Sequence, residues 1–508
     1  MHTYRTFLFN LIVALAVFTG ISQSFAQTAE LNELKQAFEK YKQTVLQEKI
    51  YLHTDREFYV AGEYMWFKVY AVDASLHRPL DVSHVCYVEV LDRANTVVAQ
   101  AKVALDHGTG TGSLFLPATV DTDNFTVRAY TRWMKNFDPA YYFHKTITIV
   151  NTFRSLPEKS AASRQQITAS FFPEGGYLVE GLKSKVGVQV QNNNREGVSF
   201  HGLIIDQHSD TVARFSSLKF GLGQFHFTPR PDAIYTAIIR ADGNVVEKFA
   251  LPAAKANGYV LQLADSLDEL MVFVRTKGVS GNVYLLAHTR EVTKAAIVQP
   301  LANGETLFRV KKQSLDDGIS HLTLFDHNRQ PVCERLYFRK PESTLNFEVD
   351  AEQEEYGIRR KVALGLSTTS DVPVTASVAV YELDSLTSST PLDINTYLLL
   401  LSDLQGGIES PAYYLNASGA DGAVATENLM LTHGWRRFSW DSIRTQPAFA
   451  FVPEIEGHIL EGKIADASGA PVSGTVVILS TPGKDIQPQV GRSHNGRIFF
   501  EANNCGAI

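Results

Sequence analysis

The chain has 508 residues, 44% hydrophobic and 20% charged, with a net charge of −7. That balance is ordinary globular material and excludes a basic nucleic-acid binder, whose electrostatic footprint would be positive. Cys86, Cys333 and Cys505 are scattered along the chain, which excludes a dense disulfide scaffold; buried single thiols are expected, with one Cys86–Cys333 bridge as the alternative.

Residues 1–26 carry Arg5, an apolar run from Phe7 to Phe18, and Ser24-Phe25-Ala26 before Gln27. This reads as a secretory signal peptide cleaved after Ala26. The apolar run is shorter than the roughly 20 residues of a spanning helix. No membrane span is therefore expected after cleavage, and no Cys follows for lipid attachment. An exported protein is expected, in a periplasm, associated with an outer membrane or at the cell surface. In residues 27–47, Leu31, Leu34, Phe38, Tyr41 and Val45 recur at helical spacing, which predicts an amphipathic helix packed on the first folded unit.

From Glu48 the period changes to two. Ile50 and Leu52 alternate with Tyr51 and His53, and Tyr64, Trp66 and Lys68 alternate with Met65, Phe67 and Val69. Gly62 lies between the two runs, so the expectation is strand, turn, strand. The stretch Thr54-Asp55-Arg56, then Tyr59, Ala61-Gly62-Glu63 and Trp66-Phe67-Lys68 resembles the opening of the macroglobulin-type domain of the alpha-2-macroglobulin superfamily. That pattern is roughly "TDK…Y…PGE…FK"; Arg56 stands for the usual Lys and Ala61 for the usual Pro. More closely, the stretch resembles envelope proteins of Bacteroidetes-type bacteria. Thr126 to Met134 and Phe171-Phe172-Pro173-Glu174-Gly175-Gly176 are similar to later signatures of the same group, as is Leu322 to Phe338.

The resemblance implies an all-β chain of tandem immunoglobulin-like sandwiches of the macroglobulin type. Their expected bounds are 48–152, 168–252, 257–341 and 345–440, the last with strands over LNFEVD, KVALGLST and TASVAVYEL. A helical pair is predicted near 393–438, from Asp393 to Leu404 and from Thr426 to Phe438, with the run Tyr397 to Leu401 as core. Pro173 and Gly175-Gly176 supply a strand end and a turn. Residues 154–168 read as a linker. Residues 453–508 resemble the start of a carboxypeptidase-regulatory-like sandwich. It breaks off where the family needs at least two more strands, so an interrupted chain is expected there.

No spacing rule for catalysis is met. HExxH, G-x-S-x-G, Cys-x-x-Cys and a Walker loop are all missing from the sequence. Gly108, Gly110 and Gly112 precede strand-like residues, so this stretch reads as a hairpin turn and not a phosphate loop. Asp121-Thr122-Asp123-Asn124 lacks the downstream Gly and Glu of a calcium loop. Cys505-Gly506-Ala507-Ile508 begins like the superfamily's thioester motif and then lacks its Gln. No catalytic, cofactor or metal residues are therefore assigned, and no cofactor is expected. Thr54, Asp55, Tyr59, Gly62, Trp66, Phe67, Lys68, Pro173, Glu174, Gly175 and Gly176 are expected to serve the fold. Trp435, Arg436 and Arg437 form a candidate partner surface, although arginines at a helix end also satisfy the last carbonyls.

Two roles remain open. One is a non-enzymatic protein that binds other envelope proteins, with endopeptidase inhibition without a thioester as the activity the superfamily implies. The other is the front portion of a TonB-linked outer-membrane receptor, whose partners would be transport components.

Overall fold

The computed structural model describes residues 29–154, 166–241, 245–382, 392–434, 439–445, 447–480 and 488–502. The signal-peptide and Cys505 expectations lie outside these residues. Alternating sequence produces paired sheets throughout, and three two-sheet units carry most of the chain.

The first unit contains β1 (Glu48–Thr54), β2 (Phe58–Val60), β3 (Tyr64–Asp73), β4 (Val85–Leu91), β5 (Val97–Ala104), β6 (Thr109–Phe115), β7 (Asp123–Thr131) and β8 (Phe143–Val150). One sheet has the order β1-β3-β6 and the other β2-β8-β7-β4-β5. The connection from β1 to β3 is not the simple hairpin expected. β2 crosses to the opposite sheet and runs parallel to β8 before the chain returns to pair Thr54 with Phe67. The reason is Tyr59, which is fully buried between the sheets and draws the connection inward. The expected Gly108–Gly112 turn is also shorter than predicted. Asp106 and Thr109 close it, and Gly110 and Gly112 belong to β6 opposite β3.

The second unit contains β9 (Ile167–Pro173), β10 (Ser184–Asn192), β11 (Phe200–Ile205), β12 (Thr211–Lys219), β13 (Leu222–Phe227), β14 (Thr236–Ala241) and β15 (Val246–Ala250). Its strand order is β15-β14-β11-β12-β13-β10-β9. β12 pairs with β11 in one sheet and, past an irregularity, with β13 in the other, so it turns the corner between them.

The third unit contains β16 (Gly258–Asp265), β17 (Glu269–Lys277), β18 (Asn282–Thr289), β19 (Val292–Pro300), β20 (Glu305–Lys311), β21 (Gly318–Phe325) and β22 (Pro331–Arg339), in sheets β16-β17-β20 and β19-β18-β21-β22. β21 is buried at every residue instead of at every second one. Its outer face is covered by the N-terminal helix α1 (29–44), together with Trp440. Leu34, Phe38, Tyr41 and Val45 of that segment pack on Tyr284, Leu286 and Phe325. The helix thus rests chiefly on the third unit, with Phe137 of the first at the margin of the cluster, and not on the first alone. On the outward face of β18 and β21, Tyr284, Leu286 and Phe325 are apolar and need cover, beside the polar Thr323, His288 and His321.

Beyond β22 the chain departs further from the expected fourth sandwich. β23 (Phe347–Ala351) and β24 (Leu364–Thr368) form one two-stranded ribbon, and residues 375–382 pair with no strand among the described residues. In place of the predicted helical pair stand α2 (Ile394–Leu399), shorter than expected, α3 (Pro411–Asn416) and α4 (Gly419–Thr432), which begins and ends earlier than expected, with α5 (Trp440–Arg444) following. Its leucines are core, as expected. Tyr397 and Leu398 complete the first unit's core, while Leu400, Leu404 and Leu429 pack with Ile319, Leu336 and Phe338 of the third. The C-terminal strands β25 (His458–Lys463), β26 (Val476–Leu479), β27 (Gln489–Arg492) and β28 (Arg497–Ala502) form two pairs, β25-β28 and β26-β27.

Candidate functional site

Two groups of motif residues occupy defined positions, and each does a different job. In the first, Asp55 ties β1 to β3. Its backbone N donates to Trp66 O at 2.9 Å, and its Oδ1 accepts from Trp66 N at 3.0 Å and from the Tyr59 hydroxyl at 2.7 Å. Burial, with Asp55 beside it, pushes the Tyr59 hydroxyl well above the usual phenol range, so it stays a donor. Thr54 Oγ1 donates to Arg56 O and accepts from Lys145 Nζ at 2.9 Å, and Lys145 also pairs with Glu57 at 3.0 Å. Gly62 turns the chain at φ +96°, a region costly for any side chain, and its N–H donates to Leu116 O. Phe67 is core, whereas Trp66 is 60% exposed beside the exposed rings of Tyr64 and Phe115.

The second group forms an interdomain joint. Pro173 ends β9, and Glu174 follows at 1% exposure. Its carboxylate accepts from Arg335 Nε at 3.1 Å and from Leu263 N at 3.2 Å; Lys185 Nζ lies 3.9 Å away. Arg335 Nη2 reaches Glu427 of α4 at 2.6 Å, and Lys185 reaches the same carboxylate at 2.8 Å. Burial pushes the Glu174 carboxyl up against the pull of Arg335. For Glu427, burial acts upward, but Arg335 and Lys185 outweigh it and hold the carboxyl low. Gly175 and Gly176 take φ +85° and +118°, and a Cβ at Gly175 would press on Cys333 Sγ at 3.3 Å. The Glu174 cluster therefore fastens the second unit, the third unit and α4 together. Sequence reasoning placed Glu174 in a motif but missed Arg335, Lys185 and Glu427. The only signal was a charged residue at a position of β22 that burial makes interior.

Between the first motif and residues 345–382 lies a cavity of about 920 Å³. Tyr51, His53, Asp55, Trp66 and Lys145 line one side, and Phe347, Leu366, Val378 and Val380 line the other. Three side-chain bonds position the far wall. Lys68 Nζ donates to Ala376 O at 3.0 Å, and Ser377 Oγ bonds to His53 Nδ1 at 2.6 Å and to the Tyr70 hydroxyl at 2.8 Å. The motif thus brings Asp55 and Trp66 to one cavity and Lys68 to the backbone of its far wall, which the sequence reading did not foresee. Trp435, Arg436 and Arg437 lie outside the described residues.

The chemistry available is limited. Cys86 and Cys333 are buried free thiols, and burial pushes both up, Cys333 to about 12, so neither is poised as a thiolate. Among the described residues no group of three or more His, Cys, Asp or Glu side chains could hold a metal ion. No described helix is long and apolar enough to cross a membrane.

No family model matches the chain, and a search of curated proteins finds no match. Solved structures do match at low similarity. Native Escherichia coli alpha-2-macroglobulin shares 12% identity at a TM-score of 0.18, over 63% of this chain and 25% of that one. The same protein activated by porcine elastase shares 11% at a TM-score of 0.23, over 89% and 41%. Dimeric latent PorU from Porphyromonas gingivalis shares 10% at 0.23, over 57% and 33%. The chain therefore spans well under two thirds of these proteins, and superposition this loose carries no argument. The all-β tandem-sandwich architecture rests on the strand pairing itself.

Proposed function

We propose that this is an exported, non-catalytic protein that holds other envelope proteins on the surfaces of its sandwiches, in the manner of macroglobulin-type domains. Interference with endopeptidases would be steric. The observation that carries this reading is the 920 Å³ cavity with exposed Trp66 on one rim and exposed Val378 and Val380 on the other. Apolar surface left open at a concave, sequence-defined place is characteristic of partner sites. The test places a photo-crosslinking residue at position 66, and at exposed Val246 on the second unit as control, in the mature chain exposed to an envelope fraction. Discrete adducts from position 66 alone are expected, together with slowed cleavage by at least one envelope protease. Identical adducts from both positions, with no protease slowed, would sink the proposal.

The receptor alternative has one observation in its favour. Val476, Ile478, Val490 and Phe499 stay exposed on the C-terminal strands, a face that a further domain would cover. Reading the source DNA through the codon for Ile508 in all frames separates the two roles.

A further inference from the structure

The far wall of the cavity has the properties of an unfinished sheet. Along residues 377–382, Ser377, Ala379 and Tyr381 are half-buried while Val378, Val380 and Glu382 are exposed, the period-two pattern of a strand. Yet residues 375–382 have no ladder partner among the described residues, and the one bond to their backbone is from Lys68 to Ala376 O. Val380 is 83% exposed, and the neighbouring ribbon leaves Phe347, Val349, Leu364 and Leu366 about half exposed. Backbone groups of an extended strand need partners, and an open apolar edge invites another chain.

Charge narrows the occupant. Residues 345–382 carry seven carboxylates, among them Glu348, Asp350 and Glu382, against Arg359, Arg360 and Lys361. None of these charges is in an ion pair among the described residues. A second copy would bring the same negative stretch against itself, which like-charge repulsion opposes. On the rim formed by the first unit, Glu57 is paired with Lys145, and Asp55 is occupied by Tyr59 and Trp66. The uncompensated negative charge thus belongs to the ribbon side.

We infer that the open face of β23, β24 and residues 375–382 takes up an extended segment of a partner protein, added as a β-strand, in which apolar residues alternate with lysine or arginine. Main-chain bonds to 375–382 supply affinity, the valine and ribbon faces take the apolar side chains, and the carboxylates select the cations. The inference rests on the binding role proposed above and specifies its partner.

The test uses the full mature chain and a labelled short peptide alternating valine with lysine, with fluorescence anisotropy as readout. Controls are a scrambled peptide of the same composition and one alternating valine with glutamate. Binding of the alternating lysine peptide is expected, about tenfold or more tighter than either control and weakening with salt. Val380→Asp and Val349→Asp, both at exposed positions, are expected to abolish it without altering the circular dichroism. Equal binding of the scrambled peptide, or no effect of either variant, overturns the inference, as does a dimer in sedimentation that the peptide does not dissociate. If position 66 crosslinks envelope proteins but no peptide binds, the strand inference fails and the binding role stands; if neither occurs, both fail.

Discussion

Arg335 is 2% exposed at its side chain and holds two carboxylates, Glu174 and Glu427, of which Glu427 is also paired with Lys185 at 2.8 Å while Glu174 has Lys185 only at 3.9 Å. Arg335→Met should leave Glu174 buried beside Lys185 alone, at a cost of about 3–5 kcal/mol in urea unfolding, because breaking a buried pair strands a charge. A loss below about 1 kcal/mol would mean that the cluster is hydrated and the joint is held by packing. His433, at the end of α4, is a second residue-scale determinant. Burial lowers it from 6.5 to about 4, and its ring bonds to Thr432 Oγ1 and Gln189 Nε2. Below pH 6.5 the unfolded chain takes up a proton that folded His433 refuses. Stability from this group is therefore complete above pH 6.5, is lost as pH falls and levels off near pH 4. The full loss is about 3 kcal/mol, and His433→Gln should flatten that segment of the stability curve. An unchanged slope would assign the acid sensitivity to other groups. Of the residue-scale features, Asp55 and Tyr59 were legible as a motif because Asp55, Tyr59 and Trp66 lie within one stretch of the chain. Arg335 was not, because Glu174 and Glu427 are distant in sequence and only the folded chain brings them together.

At the scale of elements, α1 shows how a correct local reading can leave the docking site open. The stripe from Leu34 to Val45 specifies a helix with one buried face, but any apolar sheet face would satisfy it. β18 and β21 claimed it because Tyr284, Leu286 and Phe325 on their outer face are also apolar. Phe38, at 0% exposure and 5.4 Å from the Trp440 ring, is the centre of that contact. Phe38→Ala should cost about 3–5 kcal/mol and make residues 29–44 the first site cut in limited proteolysis. Unchanged protection of that segment would show that the helix is held elsewhere. Over residues 375–382 the predicted strand has the alternation of a strand but no ladder partner among the described residues, so period alone did not make it one.

The whole molecule is held by joints between units as well as by cores within them. Buried Lys49 of β1 pairs with Asp403 at 2.9 Å, beside the helices that also pack on the third unit. Arg290 of the third unit donates to Ser75 O of the first at 2.9 Å. Tyr87, Lys102, Glu454 and His458 form one hydrogen-bonded network between the first unit and the C-terminal strands. Hydrogen exchange should therefore divide the chain unevenly. The amides of β18 and β21 should be protected to near the global stability, while those of 345–382 exchange fastest among the regular segments. Protection of 345–382 equal to that of β21 would mean that this face is already covered. Addition of the alternating lysine peptide should raise protection there and nowhere else.

The sequence by itself determined what depends on near neighbours. Two-residue alternation specified strands, the α1 stripe specified a helix and Gly62 specified a turn, while the all-β expectation came from the motif resemblance. The strands, helix and turn follow from backbone sterics and from one-sided burial, both of which act within a few residues. The tertiary structure decided which apolar face covers which. It placed α1 on the third unit, β2 in the sheet opposite β1, Arg335 against Glu174, and residues 345–382 beside the Asp55 motif with an open edge. Those outcomes depend on competition among distant surfaces of similar hydrophobicity. No local period encodes the winner of that competition.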